Sequence, residues 1–260
     1  MLHLLRTVFP PPPQTAVIIP TYNESSTISE TVRAVLQRST ERLQVIVADG
    51  FSTDDTAQKA RRAGARVLRV RGGRGQQLNK GAELAKAPNL LFLHADTKVP
   101  PAFDVHIKQL LQRPDVVAGA FRLHIDSNML GIKLVQQVAN WRSIFFQRPY
   151  GDQGLFITKR QFDRIGGYEP MPFLEDYQIV RTLSRHGRIA IANSSVVTNA
   201  RRWETLGVAR TTFFNQVILL AYHVGIQPSI LRSWYRGMAN KAITNSPNNK
   251  PAFIRNIKQR

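Results

Sequence analysis

The 260 residues include no cysteine, 43% hydrophobic side chains, and 36 Lys and Arg against 17 Asp and Glu, a formal net charge of +19. That length can bury a substantial core in one large domain or two small ones. Without thiols there are no disulfides or thiolate metal centres, so carboxylates, imidazoles and phosphates remain as cation ligands, and the positive surplus calls for an anionic partner or surface.

No apolar run reaches the ~18 residues of a spanning helix. Asn215, Gln216 and His223 interrupt the best stretch, residues 213–224. The opening MLHLLRTVFPPPP has too short an apolar core for a signal peptide and no small-residue cleavage site, which makes the cytoplasm the expected compartment, with peripheral membrane association as a further option.

Four prolines at 10–13 precede AVIIP (16–20), a first buried strand, and the turn TYNESS. Thr27 and Glu30 are spaced as a capping box for a helix to about Arg38. LQVIVA (43–48) is a second strand ending at Asp49; Ser52 and Asp55 open a helix that Gly64 closes with a left-handed cap. ARVLRV (65–70) is the third strand, RGGRG a turn, residues 76–85 a helix, and LLFLH (90–94) a fourth strand running up to Asp96. This alternation predicts an α/β fold, with a mostly parallel sheet between helices and ligands at the carboxyl ends of its strands. Thr21 to Glu24, Asp49, residues 71–75 and Asp96 then share one rim.

The second half reads as a long strand (116–125), an amphipathic helix (130–146), the turn and strand GDQGLFIT (151–158), a short helix (160–165), and a helix FLEDYQIVRTLSRHG (173–187). After Glu204 there is no acidic residue. The apolar segments 211–224 and 230–235 therefore suit a helix on anionic lipid, a core-packing helix or a dimer contact.

Asp96 has little to cap, because Pro100 and Pro101 delay the next helix; a carboxylate there suits Mg²⁺ or Mn²⁺ carrying a diphosphate. GGRGQQLNKG fails both the P-loop and the dinucleotide patterns. It is either a phosphate contact through Arg71 and Arg74 or a plain surface turn. Glu175 and Asp176 begin a helix, where the dipole favours them, and the surrounding Tyr168, Phe173 and Tyr177 also suit a general base. Arg201, Arg202 and Trp203 form a cluster able to grip a phosphate or stack on a sugar.

Taken in order, AVIIPTYNE, VIVADGFSTDDT, FLHADT, GDQGLFI, GGY and FLEDYQIVRTLSRHG resemble the family 2 glycosyltransferases of the GT-A fold, over residues 16–203. HADT and ARRW are most similar to a small bacterial subgroup associated with radical-enzyme or arsenosugar gene clusters. The resemblance implies that Pro20, Tyr22, Glu24, Arg71, Arg74 and Ala95 border the donor nucleotide and that Asp49 contacts its base. Asp96 would be the last acid of a DxD motif and would hold the metal with the diphosphate, with His94 standing where that motif has its first acid. Glu175 and Asp176 match an ED motif whose Asp takes the acceptor proton, while Gly151, Asp152, Gln153, Arg202 and Trp203 would flank the diphosphate and acceptor. The expected activity is inverting transfer from a nucleoside-diphosphate sugar, UDP-linked by preference, to a hydroxyl on a small or lipid-linked acceptor. Alternatives are a sugar nucleotidyltransferase and a nucleic-acid-binding protein. The last is disfavoured because the basic residues are not interleaved with aromatics as a stacking platform requires, so nucleic acid is not an expected partner. The expected layout is an extension (1–14), a GT-A domain (15–204), C-terminal helices (205–240) packed on the domain, on a second copy or on an anionic membrane, and a basic tail (241–260).

Overall fold

The computed structural model describes residues 11–244, without the side chains of 201, 202, 205 and 238–244. Residues 241–244 of the expected tail continue α10, and the rest of the tail and most of the N-terminal extension lie outside the described residues. In chain order the elements are β1 (Thr15–Thr21), α1 (Ile28–Arg38), β2 (Leu43–Asp49), α2 (Thr56–Arg62), β3 (Arg66–Arg69), α3 (Arg74–Leu84), β4 (Asn89–Phe92), β5 (Thr97–Lys98) and α4 (Phe103–Leu111). The remainder are β6 (Val116–Asp126), α5 (Leu130–Phe146), a 3-10 turn at Gly151–Gln153, β7 (Leu155–Thr158), α6 (Lys159–Arg164), α7 (Glu175–Leu183), β8 (Arg188–Asn199), α8 (Arg201–Leu206), α9 (Val208–His223) and α10 (Pro228–Thr244).

One mixed sheet in the order β3-β2-β1-β4-β7-β6-β8-β5 forms the centre. β3, β2, β1 and β4 run parallel, β7 enters antiparallel between β4 and β6, and β6 pairs in parallel with β8. β4 and β5 stand far apart in that order yet are joined by Leu93, His94, Ala95 and Asp96 alone, so the sheet curls to bring the β8–β5 edge round. That joint carries the expected metal ligand.

β1 shows why its sequence is apolar between its two terminal threonines. Val17 and Ile19 face one core with Ile28, Val32 and Val35 of α1 and Phe103 and Ile107 of α4. Ala16 and Ile18 face a second core with Leu78 and Ala82 of α3 and Ile179, Val180 and Leu183 of α7. A strand covered on both faces has no polar side to show. α3 lies so close to β1 that a Cβ at Gly81 would stand 2.4 Å from Ile18 Cγ2. This close approach sets α3, with Arg74 in its first turn, over the ends of the strands.

Several expectations shift locally. No capping box forms at α1, where the Thr27 hydroxyl instead donates to Glu24, backbone and carboxylate alike. Asp54, rather than Ser52 or Asp55, accepts from the Thr56 backbone at the start of α2, and its hydrogen bonds with Thr56 and Ser25 hold its carboxyl below the usual range against the opposing effect of burial. β4 ends at Phe92 instead of His94, and β8 was not anticipated at all. The C-terminal helices fold back on α7: Ile218, Ala221 and Leu231 cluster with Phe173 and Leu174, and the Tyr177 hydroxyl meets His223 Nε2 at 2.9 Å.

Candidate active site

The carboxyl ends of β1 and β2 open into a cavity of about 330 Å³ bounded by Pro20 to Tyr22, Gly50, Phe51, Val70 to Arg74 and Gln77. Gln77, buried in α3, ties the two strand ends together by donating from Nε2 to Thr21 O at 2.8 Å and Ala48 O at 2.7 Å. Opposite, a relay fixes the β1 loop. The Ser52 hydroxyl donates to Asp49 Oδ1 at 2.5 Å and accepts from Asn23 N at 2.9 Å, and Asn23 Oδ1 accepts from Thr53 N at 2.9 Å. Asp49 is fully buried, receives Ser52 N on its other oxygen and has Arg69 at 3.7 Å. Its carboxylate therefore sits behind the cavity wall, organising the loop. Glu24 is also buried, its backbone held by the Thr56 hydroxyl at 2.8 Å.

Phe51 is the feature the sequence reading missed. It takes a left-handed backbone (φ 64°), uncommon for a bulky residue, and leaves its ring 38% exposed at the cavity edge. The Arg71 guanidinium lies 4.5 Å from the ring centroid and Arg69 lies 5.7 Å away. An aromatic face flanked by cations offers a stacking surface for a planar base and charge for phosphates. Its only signal in the sequence is one aromatic residue inside DGFST.

The second centre is built on Arg74. Its side chain is 16% exposed; Nη1 lies 3.3 Å from Glu175 Oε1 and 4.0 Å from Asp176 Oδ2, and Nη2 contacts His94 Nε2. Burial works against the guanidinium charge, but Glu175 and Asp176 outweigh it and raise its pKa. Asp176 is oriented on both oxygens, with Gly151 N donating to Oδ2 at 3.2 Å and Tyr177 N to Oδ1 at 2.8 Å. The Asp176 side chain is 27% exposed against 8% for Glu175, so Asp176 is the carboxylate an incoming group can reach. A Cβ on Gly151 would stand 2.7 Å from Asp176 Oδ2 and 2.8 Å from Arg74 Nη2. Gly151→Ala is accordingly expected to lower turnover at least about tenfold with a melting temperature within about 3 °C of wild type, checked by steady-state kinetics and calorimetry.

The GDQ turn joins this centre to the body of the fold. Gln153 is buried, donates to Phe121 O at 3.0 Å and accepts from the Ser143 hydroxyl at 2.7 Å. Burial pushes the Asp152 carboxyl up, with nearby Arg142 opposing, and its Oδ1 has no hydrogen-bond partner among the described residues. Ala95 is buried, its carbonyl accepting from Thr31 Oγ1 at 2.7 Å, and Asp96 follows it, half-buried, in the same joint. Trp203 packs elsewhere, beside Leu123, Ile125 and Val208, and the side chain of Arg202 lies outside the described residues. The structure thus gathers Arg74, His94, Gly151, Glu175 and Asp176, while Trp203 packs in the apolar cluster between β6 and α5.

Among the described residues no three His, Asp or Glu side chains converge on a cation. His94 presents Nε2 to Arg74, so the donor set at this rim fits a cation that takes one protein oxygen, from Asp96, and the rest from diphosphate and water.

The family model for glycosyl transferase family 2 matches residues 16–167. Glycosyltransferase AglJ of Haloferax volcanii is 37% identical over 89 residues, 34% of this chain and 29% of that protein. The chain spans about a third of the length of the curated relatives it matches first. In fold it is similar to a mannosyltransferase from Pyrobaculum calidifontis in complex with GDP-Man and Mn²⁺, with a TM-score of 0.60 at 20% identity over 97% of this chain and 71% of the other. Glucosyl-3-phosphoglycerate synthase from Mycobacterium tuberculosis, in complex with Mn²⁺, UDP and glucosyl-3-phosphoglycerate, superposes with a TM-score of 0.53 at 17% identity, covering 79% of each chain.

Proposed function

Because the chain belongs to glycosyl transferase family 2, we propose that it transfers a sugar from a nucleoside-diphosphate donor to an acceptor hydroxyl with inversion at the anomeric carbon. The carrying observation is one reachable carboxylate, Asp176, oriented through both oxygens at one end of a rim whose other end is the Phe51 and Arg71 cavity. The base would lie on Phe51, with the diphosphate running past Arg71 and the amino end of α3 toward Asp96. Asp176 would take the acceptor proton as the hydroxyl oxygen attacks the anomeric carbon, and Arg74 would hold Asp176 and Glu175 in place for that step. A divalent cation at Asp96 would supply charge for the departing phosphates. Solved structures of like fold are complexes with GDP-Man and Mn²⁺ or with UDP and Mn²⁺, which supports this class of donor. UDP-linked donors are favoured, and HADT and ARRW support the subgroup tied to radical-enzyme or arsenosugar gene clusters.

The test is a panel of UDP- and GDP-sugars with Mn²⁺ or Mg²⁺, read by nucleotide release and by the proton NMR coupling of the product's anomeric centre. Neither binding nor donor hydrolysis with any of them would remove the proposal, and retained anomeric configuration would remove inversion. Phe51→Ala is expected to weaken UDP binding about tenfold or more, the scale of one aromatic stack under a base, measured by calorimetry. An unchanged affinity would place the base elsewhere.

A further inference from the structure

α5 is turned inside out. The side chains it buries include Ala139, Ser143 and a single large apolar one, Ile132, while Leu130, Leu134, Val138, Trp141, Phe145 and Phe146 are each more than half exposed. The steps from 130 to 134, 138, 141 and 145 trace one helical stripe. Trp141 meets Phe145 in a tilted and Phe146 in an edge-on arrangement, at centroid separations of 5.4 and 5.3 Å, which makes an aromatic end to the stripe. α9 packs beside α5 and exposes Phe213 and Leu220. A continuous exposed apolar face of this kind marks a contact surface.

Charge decides what covers it. Between Asp126 and Asp152 the chain has no acidic residue but contains Lys133, Arg142 and Arg148, of which Lys133 and Arg148 are exposed, and no acid follows Glu204. In a chain of net charge +19, two copies meeting through these helices would bring like charges together. Anionic headgroups would neutralise them. No described helix is long and apolar enough to cross a membrane, whereas an apolar stripe ending in Trp and Phe and bordered by Lys and Arg has the make-up of a helix lying in the interface.

We propose that α5 is a docking face for an anionic bilayer, seating Leu130, Leu134, Val138, Trp141 and Phe145 among the headgroups. The inner side of the same helix holds the catalytic segment: Ser143 bonds Gln153, and Arg142 lies 3.4 Å from the Tyr150 ring centroid. Docking therefore sets the GDQ turn and Asp176 close to the membrane surface. This claim rests on residues outside the transfer site and is read by binding alone, so it stands or falls apart from the transferase proposal.

The experiment is flotation of the full chain with phosphatidylcholine vesicles, with and without about a third phosphatidylglycerol. The chain is expected to float with the anionic vesicles only. Leu134→Glu/Phe145→Glu, with an unchanged far-UV circular dichroism spectrum, is expected to lower the bound fraction about tenfold or more. Absence of flotation, or equal flotation of the variant, overturns the proposal; so does a wild-type dimer in light scattering that the variant dissolves, since a second copy would then cover the face. Should the double variant not fold, tryptophan fluorescence replaces it. A blue shift on adding anionic vesicles is expected in wild type and should vanish in Trp141→Phe, and a shift that persists there overturns the proposal.

Discussion

Replacing Asp176 by Asn is expected to lower sugar transfer about a thousandfold while leaving donor affinity within about twofold. The amide keeps the size and planarity of the carboxylate, and its oxygen still accepts one of the two backbone donors, Gly151 N or Tyr177 N. What it loses is the ability to accept a proton from the acceptor hydroxyl. Of the residues bounding the donor cavity Arg74 reaches Asp176, at 4.0 Å, and it keeps Glu175 at 3.3 Å in the variant, so binding and chemistry should separate. Calorimetric titration with the nucleotide and a single-turnover assay check the two quantities independently. Equal loss of both would mean that Asp176 holds the donor and that the base lies elsewhere, with the half-buried Asp152 as the next carboxylate to replace.

The first half of the fold was legible because its strands are covered on both faces. Runs such as AVII and VIVA have no other explanation in a chain of this polarity, and the turns between them end where Gly64 takes a φ of 105°. β8 was missed for the opposite reason: RIAIANSSVVTN mixes apolar and polar residues without steady alternation, and its pairing with β6 is broken by two register shifts. α3 starts two residues earlier than its sequence suggests, because Gly73, at φ 87°, turns the chain and leaves Arg74 as the first helical residue. The site was legible as a list and not as an arrangement. Asp176 and Arg74 could be named from the sequence, but no local pattern reports that residues 74, 94, 151 and 175 meet, since each comes from a different part of the chain. The outward face of α5 was equally hidden: its periodicity announces an amphipathic helix and says nothing of which side the body of the protein will cover.

The second large effect is expected from Arg74→Met. Methionine fills much of the space but removes the guanidinium from Glu175, whose side chain is only 8% exposed. Removing one member of a buried ion pair strands its partner's charge, at a cost of about 3 kcal/mol, or roughly 6 to 10 °C in melting temperature for a chain of this size. Arg232, which also acts on Glu175, remains and bounds the loss. The pH dependence carries the diagnosis. With Arg74 gone, the ionised form of Glu175 loses its nearest counter-charge in a largely buried setting, whereas the protonated acid loses little, so the cost of the substitution falls on the ionised form. The gap between the two proteins is then smallest in acid, where the pair is discharged in both, and widens toward neutral pH. Thermal melts between about pH 4 and 8 measure it, and adding Glu175→Gln to Arg74→Met should recover most of the loss at neutral pH. A gap that stays constant across the range would assign the cost to lost packing and to the broken contact with His94, leaving Arg74 as a spacer between the strand joint and α7.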